Sequence, residues 1–161
     1  DTKAREHIED LLKDNDIPFY AVPKDMNFDG ENHQYIKDII LQGMYDCDVL
    51  LCIVGKDTYT RPHVDWELHE ALKGEIKTRK GVLAVMLENR RDNKNDIDYA
   101  TFPNRLEDNE DYIVIEQYAS LQDRLKEALD EALDNSRNRE IQVNNRRPPM
   151  PLRQGKYFDA N

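Results

Sequence analysis

The sequence predicts a doubly wound α/β domain with a mainly parallel sheet in the flavodoxin-like order. Helical and strand periodicities alternate along the chain, as expected of repeated strand–helix units. The runs VLLCIVG at 49–55 and GVLAVML at 81–87 are apolar on both faces, which is typical of central parallel strands covered by helices. With 161 residues, the chain has the length of a single domain with one core.

The first part of the chain is predicted to contain two helices, one strand and a loop. Apolar residues at helical spacing indicate an amphipathic helix over 2–14, and IPFYAV at 17–22 is typical of a short strand. The polar segment 23–32, with the turn signal Asp29-Gly30, is predicted to be a loop. The inner face of the second helix is expected to carry Ile36, Ile39, Ile40 and Met44.

The second part is predicted to continue with helices and strands in alternation. A helix over 61–73 is expected to begin after Thr60 as its N-cap. Residues 88–111 are polar and predict a long loop, and YIVIE at 112–116 predicts a strand. Ser120 then begins the last helix, in which Leu121, Leu125, Ala128, Leu129, Ala132 and Leu133 are expected to face inward.

Two further expectations concern the ends of the chain. Folds of this order usually begin with a strand, whereas this sequence begins with a helix and without Met, so we expect an N-terminal strand before Asp1. We place the domain at 1–134 and a basic, Pro/Arg-rich C-terminal extension at 135–161. The extension has six Lys and Arg residues against two acidic ones, so it is expected to lie against the acidic body or another subunit, or to be solvated.

Composition excludes several classes of function. The net charge of −10 argues against nucleic acid as a partner, because phosphate binding needs a basic surface. No apolar run approaches the roughly 18 residues of a membrane span, so no membrane partner is expected. Cys47 and Cys52 lack a disulfide framework, which favours the cytoplasm. The His and Cys spacings match no metal motif, so no metal site is expected.

Glu67 is the candidate catalytic residue. Ligands of open α/β sheets bind at the carboxyl ends of the strands, and the segment after the strand 49–54 lies on that rim. At 100° per residue, Glu67 falls at the edge of the apolar stripe of its helix, whereas Trp66 points away from the core. Periodicity alone leaves two readings open, an ordinary helix-edge acid or a carboxylate delivered to a pocket.

The stretch IVGKDTYTRPHVDWELHEAL at 53–72 resembles a known family. It is similar to strand C and helix C of Toll/interleukin-1 receptor (TIR) domains, and most similar to the bacterial TIR-like group that includes ThsB of the Thoeris antiphage system. The motif V-D-W-E carries most of the specificity. IPFYAVPKD resembles strand B of that family, DMNFDGENHQYIKDII its BB loop and helix B, and GVLAVML its strand D. The resemblance covers residues 3–133.

The resemblance implies an enzyme that cleaves the nicotinamide–ribose bond of NAD+, its substrate, without a further cofactor. The essential glutamate of such domains matches Glu67, and by position alone Tyr59, His63 and Trp66 are candidates for the pocket wall. In ThsB-like proteins the ADP-ribose is cyclised or conjugated into a diffusible signal that activates an effector protein. The resemblance therefore also implies a bacterial cytoplasmic location, an effector as partner and homo-oligomers.

Two alternatives remain open at this point. A nucleoside deoxyribosyltransferase-like domain also places a glutamate after a buried strand and acts on an N-glycosidic bond, but it would prefer deoxynucleosides to NAD+. A TIR-like interaction module would instead assemble through its surfaces without catalysis. An outward Trp66 and the basic extension favour assembly, whereas V-D-W-E on the rim favours chemistry.

Overall fold

The computed structural model describes residues 2–22, 33–74, 78–87 and 98–151. Within these ranges the chain forms five α-helices and three β-strands, joined by short 3-10 turns. The helices are α1 (Thr2–Asp14), α2 (His33–Tyr45), α3 (Pro62–Ala71), α4 (Asn104–Glu107) and α5 (Leu121–Arg137). The strands are β1 (Val49–Val54), β2 (Gly81–Met86) and β3 (Val114–Gln117).

The three strands form one parallel sheet in the order β1-β2-β3. Helices α1 and α5 pack their apolar stripes on one face of the sheet. Helices α3 and α4 cover the opposite face, and α2 packs against α3 through Ile40. The arrangement is a three-layer α/β/α fold, consistent with the flavodoxin-like order, and it confirms the predicted fold class.

The most periodic elements agree closely with prediction. Helix α1 has the bounds predicted for it, and Ala4, Ile8, Leu11 and Leu12 are all buried on its inner face. Strand β2 is buried at every residue, which explains why its sequence is apolar without alternation. In α5 the predicted inner positions are buried or half-buried.

Strand β1 lies at one edge of the three-stranded sheet formed by the described residues. Among the described strands it pairs only with β2, and β2 is the strand with neighbours on both sides. Four of its six residues, at 49–51 and at Ile53, are only half-buried. Residues 49–53 of β1 line a groove along this edge of the sheet.

The predicted strand at 17–22 is wrong. These residues are irregular and half-buried or exposed, because a strand forms only where a neighbouring strand supplies hydrogen bonds, and none of the described strands pairs with them. The segment is fixed instead by side-chain contacts: the Tyr20 ring lies over Gly43 of α2, and the Arg5 guanidinium donates to the Val22 carbonyl.

The loop predicted over 88–111 is wrong for residues 98–111. Residues 88–97 and the loop predicted at 23–32 lie outside the described part of the chain. Residues 98–111 contain a 3-10 turn and α4, which bury Phe102 and Leu106 in the core. Strand β3 begins two residues later than predicted. The amides of Tyr112 and Ile113 both donate to the Asn109 carbonyl, which closes a turn there and delays sheet pairing.

Neither predicted helix cap makes its side-chain hydrogen bond. Arg61 occupies the N-cap of α3, Pro62 follows at the first helical position, and the Thr60 hydroxyl donates to the Asp57 carbonyl. Ser120 does precede α5, but its hydroxyl donates to the Gln117 carbonyl. In both cases a 3-10 turn leads into the helix and occupies the hydroxyl.

Candidate functional site

A groove of about 660 Å³ runs along the outer side of β1, between the two helical layers. Its walls come from α1, the segment 17–22, α2, α3 and the C-terminal half of α5. Apolar side chains dominate the lining, among them Ile8, Leu12, Ile40, Met44, Leu51 and Leu129. Pockets of this size and apolar character are typical of small-molecule sites.

Glu67 lines this groove from α3. Burial raises the pKa of its carboxyl to about 7, above the ordinary 4.5, while the Arg5 guanidinium across the groove opposes the rise. Beneath it, burial and then the Glu67 charge raise the pKa of the Cys52 thiol to about 12. At neutral pH, the Glu67 carboxyl is therefore present in both its protonated and its ionised form, whereas Cys52 stays a neutral thiol.

His63 lies one helical turn before Glu67 and lines the same groove. Burial, followed by the charge of Arg61, lowers the pKa of its imidazole to about 4. His63 is thus neutral at physiological pH. A neutral imidazole can donate or accept a hydrogen bond beside the carboxylate without adding a positive charge.

Arg5 supplies a cation to the groove from α1. Its Nε donates to Glu9 Oε1 at 2.8 Å, and the same guanidinium donates to the Val22 carbonyl. These two contacts fix the side chain, so its charge has a defined place on the wall of the groove that Glu67 also lines.

Tyr59 and Trp66 lie outside the lining of this groove. Tyr59 is half-buried in the 3-10 turn that precedes α3. The predicted outward direction of Trp66 is wrong, because α2 packs over that face of α3. The Trp66 ring is only 7% exposed, it packs with Ile40, and the Lys37 ammonium lies 5.4 Å from its centroid.

Two residues that act electrostatically on Glu67 or respond to its charge, Arg5 and Cys52, were not predicted from the sequence. Arg5 belongs to a different layer of the fold, and nothing in its local sequence separates it from other surface cations of α1. Cys52 did carry a signal, because it is in β1 immediately before the rim, but residues of an apolar strand point to both faces and the sequence alone does not say which one faces the groove.

The arrangement suits chemistry that develops positive charge on an uncharged part of a substrate. A carboxylate that ionises near neutral pH, in an apolar groove, can stabilise such a charge more strongly than it would in water. Among residues 2–22, 33–74, 78–87 and 98–151, no cluster of three or more His, Cys, Asp or Glu could hold a metal ion. In the same ranges, no helix has the length and apolar character needed to cross a membrane.

Comparison with known proteins gives one match that covers most of the groove-forming region. The sequence model of the family described as "Thoeris protein ThsB, TIR-like domain" matches residues 1–92, more than half of the chain, with β1, α3 and Glu67 included. Curated proteins and solved structures give no significant match. The chain belongs to the TIR-like domain family of the Thoeris protein ThsB, and is thus a TIR-type module of antiphage defence.

Proposed function

We propose that this TIR-like domain is an enzyme that cleaves the nicotinamide–ribose bond of NAD+ and makes an ADP-ribose-derived nucleotide, which activates a partner effector in antiphage defence. The observation that carries the proposal is the place of Glu67. A helix-edge acid of the V-D-W-E motif lines an apolar groove of about 660 Å³, and burial there raises the pKa of its carboxyl to about 7. Perturbed acids in clefts are characteristic of catalytic sites.

The reaction requires little of the protein beyond charge stabilisation. Nicotinamide is already a cationic pyridinium, so it leaves with the electron pair of the C1′–N bond and needs no proton. The ribose C1′ then acquires oxocarbenium character, which the ionised Glu67 carboxylate stabilises. A nucleophile attacks C1′: water yields ADP-ribose and a proton, and an adenine nitrogen yields a cyclised ADP-ribose.

The lining of the groove favours the internal nucleophile. Its apolar walls, from α1, α2 and α5, limit the water that reaches C1′, so a group of the substrate itself can compete with hydrolysis. Arg5 provides a cation that can hold the pyrophosphate while Glu67 faces the ribose. Neutral His63 can bond a ribose hydroxyl without opposing the developing positive charge.

The test is an incubation of the protein with NAD+, followed by mass spectrometry of the products, repeated in cells with and without phage infection. Wild type, Glu67→Gln and Glu70→Gln should be compared, because Glu70 is on the same helix but outside the groove lining. We expect Glu67→Gln to lose about 10²–10⁴-fold in rate and Glu70→Gln to stay close to wild type. Equal product from wild type and Glu67→Gln would refute the assignment. Turnover of deoxynucleosides in place of NAD+ would favour the deoxyribosyltransferase alternative.

A second candidate is a non-catalytic interaction module, and one observation favours it. Leu41 and Tyr45 are four residues apart on α2, where they are 44% and 84% exposed. Apolar side chains on one exposed helix face are typical of contact surfaces. Phage infection without any change in NAD+ or its products, together with loss of defence in Tyr45→Ser, would support this candidate over the enzyme.

A further inference from the structure

The C-terminal strap, residues 138–151, packs against the core rather than extending into solvent. Ile141 and Val143 pack against the cluster that contains α3 and β2. The buried Arg79 fixes the start of the strap, since its guanidinium donates to the carbonyls of Ser136 at 2.9 Å, Asn138 at 2.7 Å and Ile141 at 3.0 Å. One side chain therefore bonds a carbonyl in the last turn of α5 and two carbonyls of the strap that follows it.

The middle of the strap is joined to the segment after α4. Asn109 and Asn144 form a reciprocal pair, in which Asn109 Nδ2 donates to the Asn144 carbonyl at 2.8 Å and the Asn144 amide donates to Asn109 Oδ1 at 2.7 Å. Asn109 is almost fully buried, at 3% exposure. A buried amide with both of its ends bonded to backbone groups fixes the register of the strap along the domain.

Beyond this point the strap contacts both ends of α3. At the C-terminal end, Asn145 Nδ2 donates to the His69 carbonyl at 3.0 Å. At the N-terminal end, the Met150 amide donates to Asp65 Oδ2 at 2.8 Å. The buried Arg105 connects the two contacts, because its Nη1 donates to Asn145 Oδ1 and to the Arg147 carbonyl, both at 2.8 Å, while its Nε and Nη2 bond Asp65.

Helix α3 is short, so these contacts matter for its orientation. Ten residues make fewer than three turns, and a helix of this length is held by tertiary contacts more than by its own hydrogen bonds. Asp65 and His69 are two residues before and two residues after Glu67. We infer that Asn145, together with the Asp65–Arg105 pair it adjoins, is a positioning residue that fixes α3 and thereby holds the Glu67 carboxylate in the groove, an inference that rests on the proposed function.

Asn145→Ala tests this inference, with Asn144→Ala as the matched control. Asn145 bonds Arg105 and α3 through its side chain, whereas the Asn144 side chain only accepts from the amide of Arg146 on the exposed side of the strap. We expect amide hydrogen exchange in α3 to accelerate roughly tenfold or more in Asn145→Ala, while the amides of β2 exchange as in wild type. Asn144→Ala should leave both regions unchanged.

The second readout is the titration of Glu67, followed by NMR of the labelled carboxyl without any substrate. A loosened α3 admits water to the groove, so the apparent pKa of Glu67 should fall from about 7 towards 4.5 in Asn145→Ala. With NAD+ we expect kcat to fall at least about tenfold and KM to change little, since positioning acts on the reacting geometry.

Two outcomes would overturn the inference. One is an unchanged Glu67 titration and α3 exchange in Asn145→Ala, and the other is equal acceleration of exchange in α3 and β2, which would mean a general loss of stability. If Asn145→Ala does not fold, Asn145→Asp replaces it: the carboxylate keeps the acceptor for Arg105 but cannot donate to the His69 carbonyl. The proposed function is tested separately, by Glu67→Gln, and it fails if this variant makes as much product as wild type. Hydrogen exchange in α3 and the titration of Glu67 would still decide whether Asn145 is a positioning residue.

Discussion

The fully buried guanidinium of Arg105 donates from Nε and Nη2 to the two carboxylate oxygens of Asp65, at 2.9 and 3.2 Å. Asp65 is in the first turn of α3, two residues before Glu67, so this ion pair joins α4 to the helix that carries the candidate catalytic acid. A buried guanidinium is tolerated only when its donors have acceptors, and here both donors of Nη1 go to the strap.

The first prediction concerns this pair. Asp65→Ala should lower the free energy of unfolding by about 3–5 kcal/mol, because it leaves the buried charge of Arg105 without its counter-ion. Arg147→Ala is the comparison, since Arg147 forms the same type of bidentate pair with Asp108 at the surface, where its side chain is 45% exposed. Its loss should cost about 0–1 kcal/mol. Urea unfolding measures both, and equal losses would contradict the prediction.

The second prediction compares two glycines. A Cβ on Gly81 would lie 2.4 Å from the carbonyl oxygen of Ala132, so β2 and α5 approach each other too closely for any side chain there. A Cβ on Gly55 would meet its nearest atom, in the Leu87 side chain, at 3.4 Å. Gly81→Ala should therefore lose about 2–3 kcal/mol and Gly55→Ala much less, as measured by thermal unfolding. A Gly55→Ala loss as large as that of Gly81→Ala would refute this reading of the β2–α5 contact.

Elements with strong periodicity were predictable, whereas elements that depend on distant partners were not. Helix α1 and strand β2 could be predicted from their sequences, because α1 buries a single apolar stripe and β2 buries both of its faces. The segment 17–22 has a strand-like composition, but strand formation depends on a neighbour that local sequence does not encode. The fully buried Arg105 lies in a segment that composition predicts to be a loop, because burial of an arginine depends on Asp65, forty residues away in the chain.

The candidate site, like the fold, was predictable only where it depends on local sequence. Glu67 follows from its position after β1 and from the edge of the apolar stripe of α3, both of which are local properties. Trp66 was misplaced because a helical wheel shows which residues share a face but not which faces a second helix covers. The apolar residues of α2 that cover Trp66 were identified, but their partner was not, since packing between two helices is a tertiary property.

The third prediction concerns acid sensitivity. The folded pKa of His63 is about 4, below its ordinary 6.5, so the unfolded chain binds a proton there that the folded chain does not. The stabilising contribution of neutral His63 is present above pH 6.5 and is lost as the pH falls towards 4. His63→Gln should remove about 1–3 kcal/mol of the stability change between pH 7 and pH 4. Parallel wild-type and variant curves of unfolding free energy against pH would contradict the assignment.

The fourth prediction has the opposite sign. The folded pKa of Glu67 is about 7, above the ordinary 4.5, so the folded chain keeps a proton that the unfolded chain releases. Its contribution is fully present below pH 4.5 and is lost as the pH rises through 7. Glu67→Gln should thus be more stable than wild type by about 1–3 kcal/mol at pH 8, with the difference vanishing near pH 4. If the difference in unfolding free energy between wild type and variant is the same at pH 4 and pH 8, burial does not raise the pKa of Glu67 and the prediction is wrong.

The last prediction links that titration to the proposed reaction. If the ionised Glu67 stabilises the oxocarbenium, the fraction of active enzyme follows the carboxylate form, and the rate of NAD+ cleavage rises with pH through an apparent pKa near 7. His63 stays neutral around pH 7 and therefore adds no second inflection to the profile of rate against pH. Cys52, with a pKa of about 12, ionises only far above this range. The residual rate of Glu67→Gln should be independent of pH between 6 and 8, as measured by nicotinamide release. A falling wild-type rate over the same range would mean that the protonated carboxyl is the active form, and Glu67 would then act as an acid rather than as the stabilising charge.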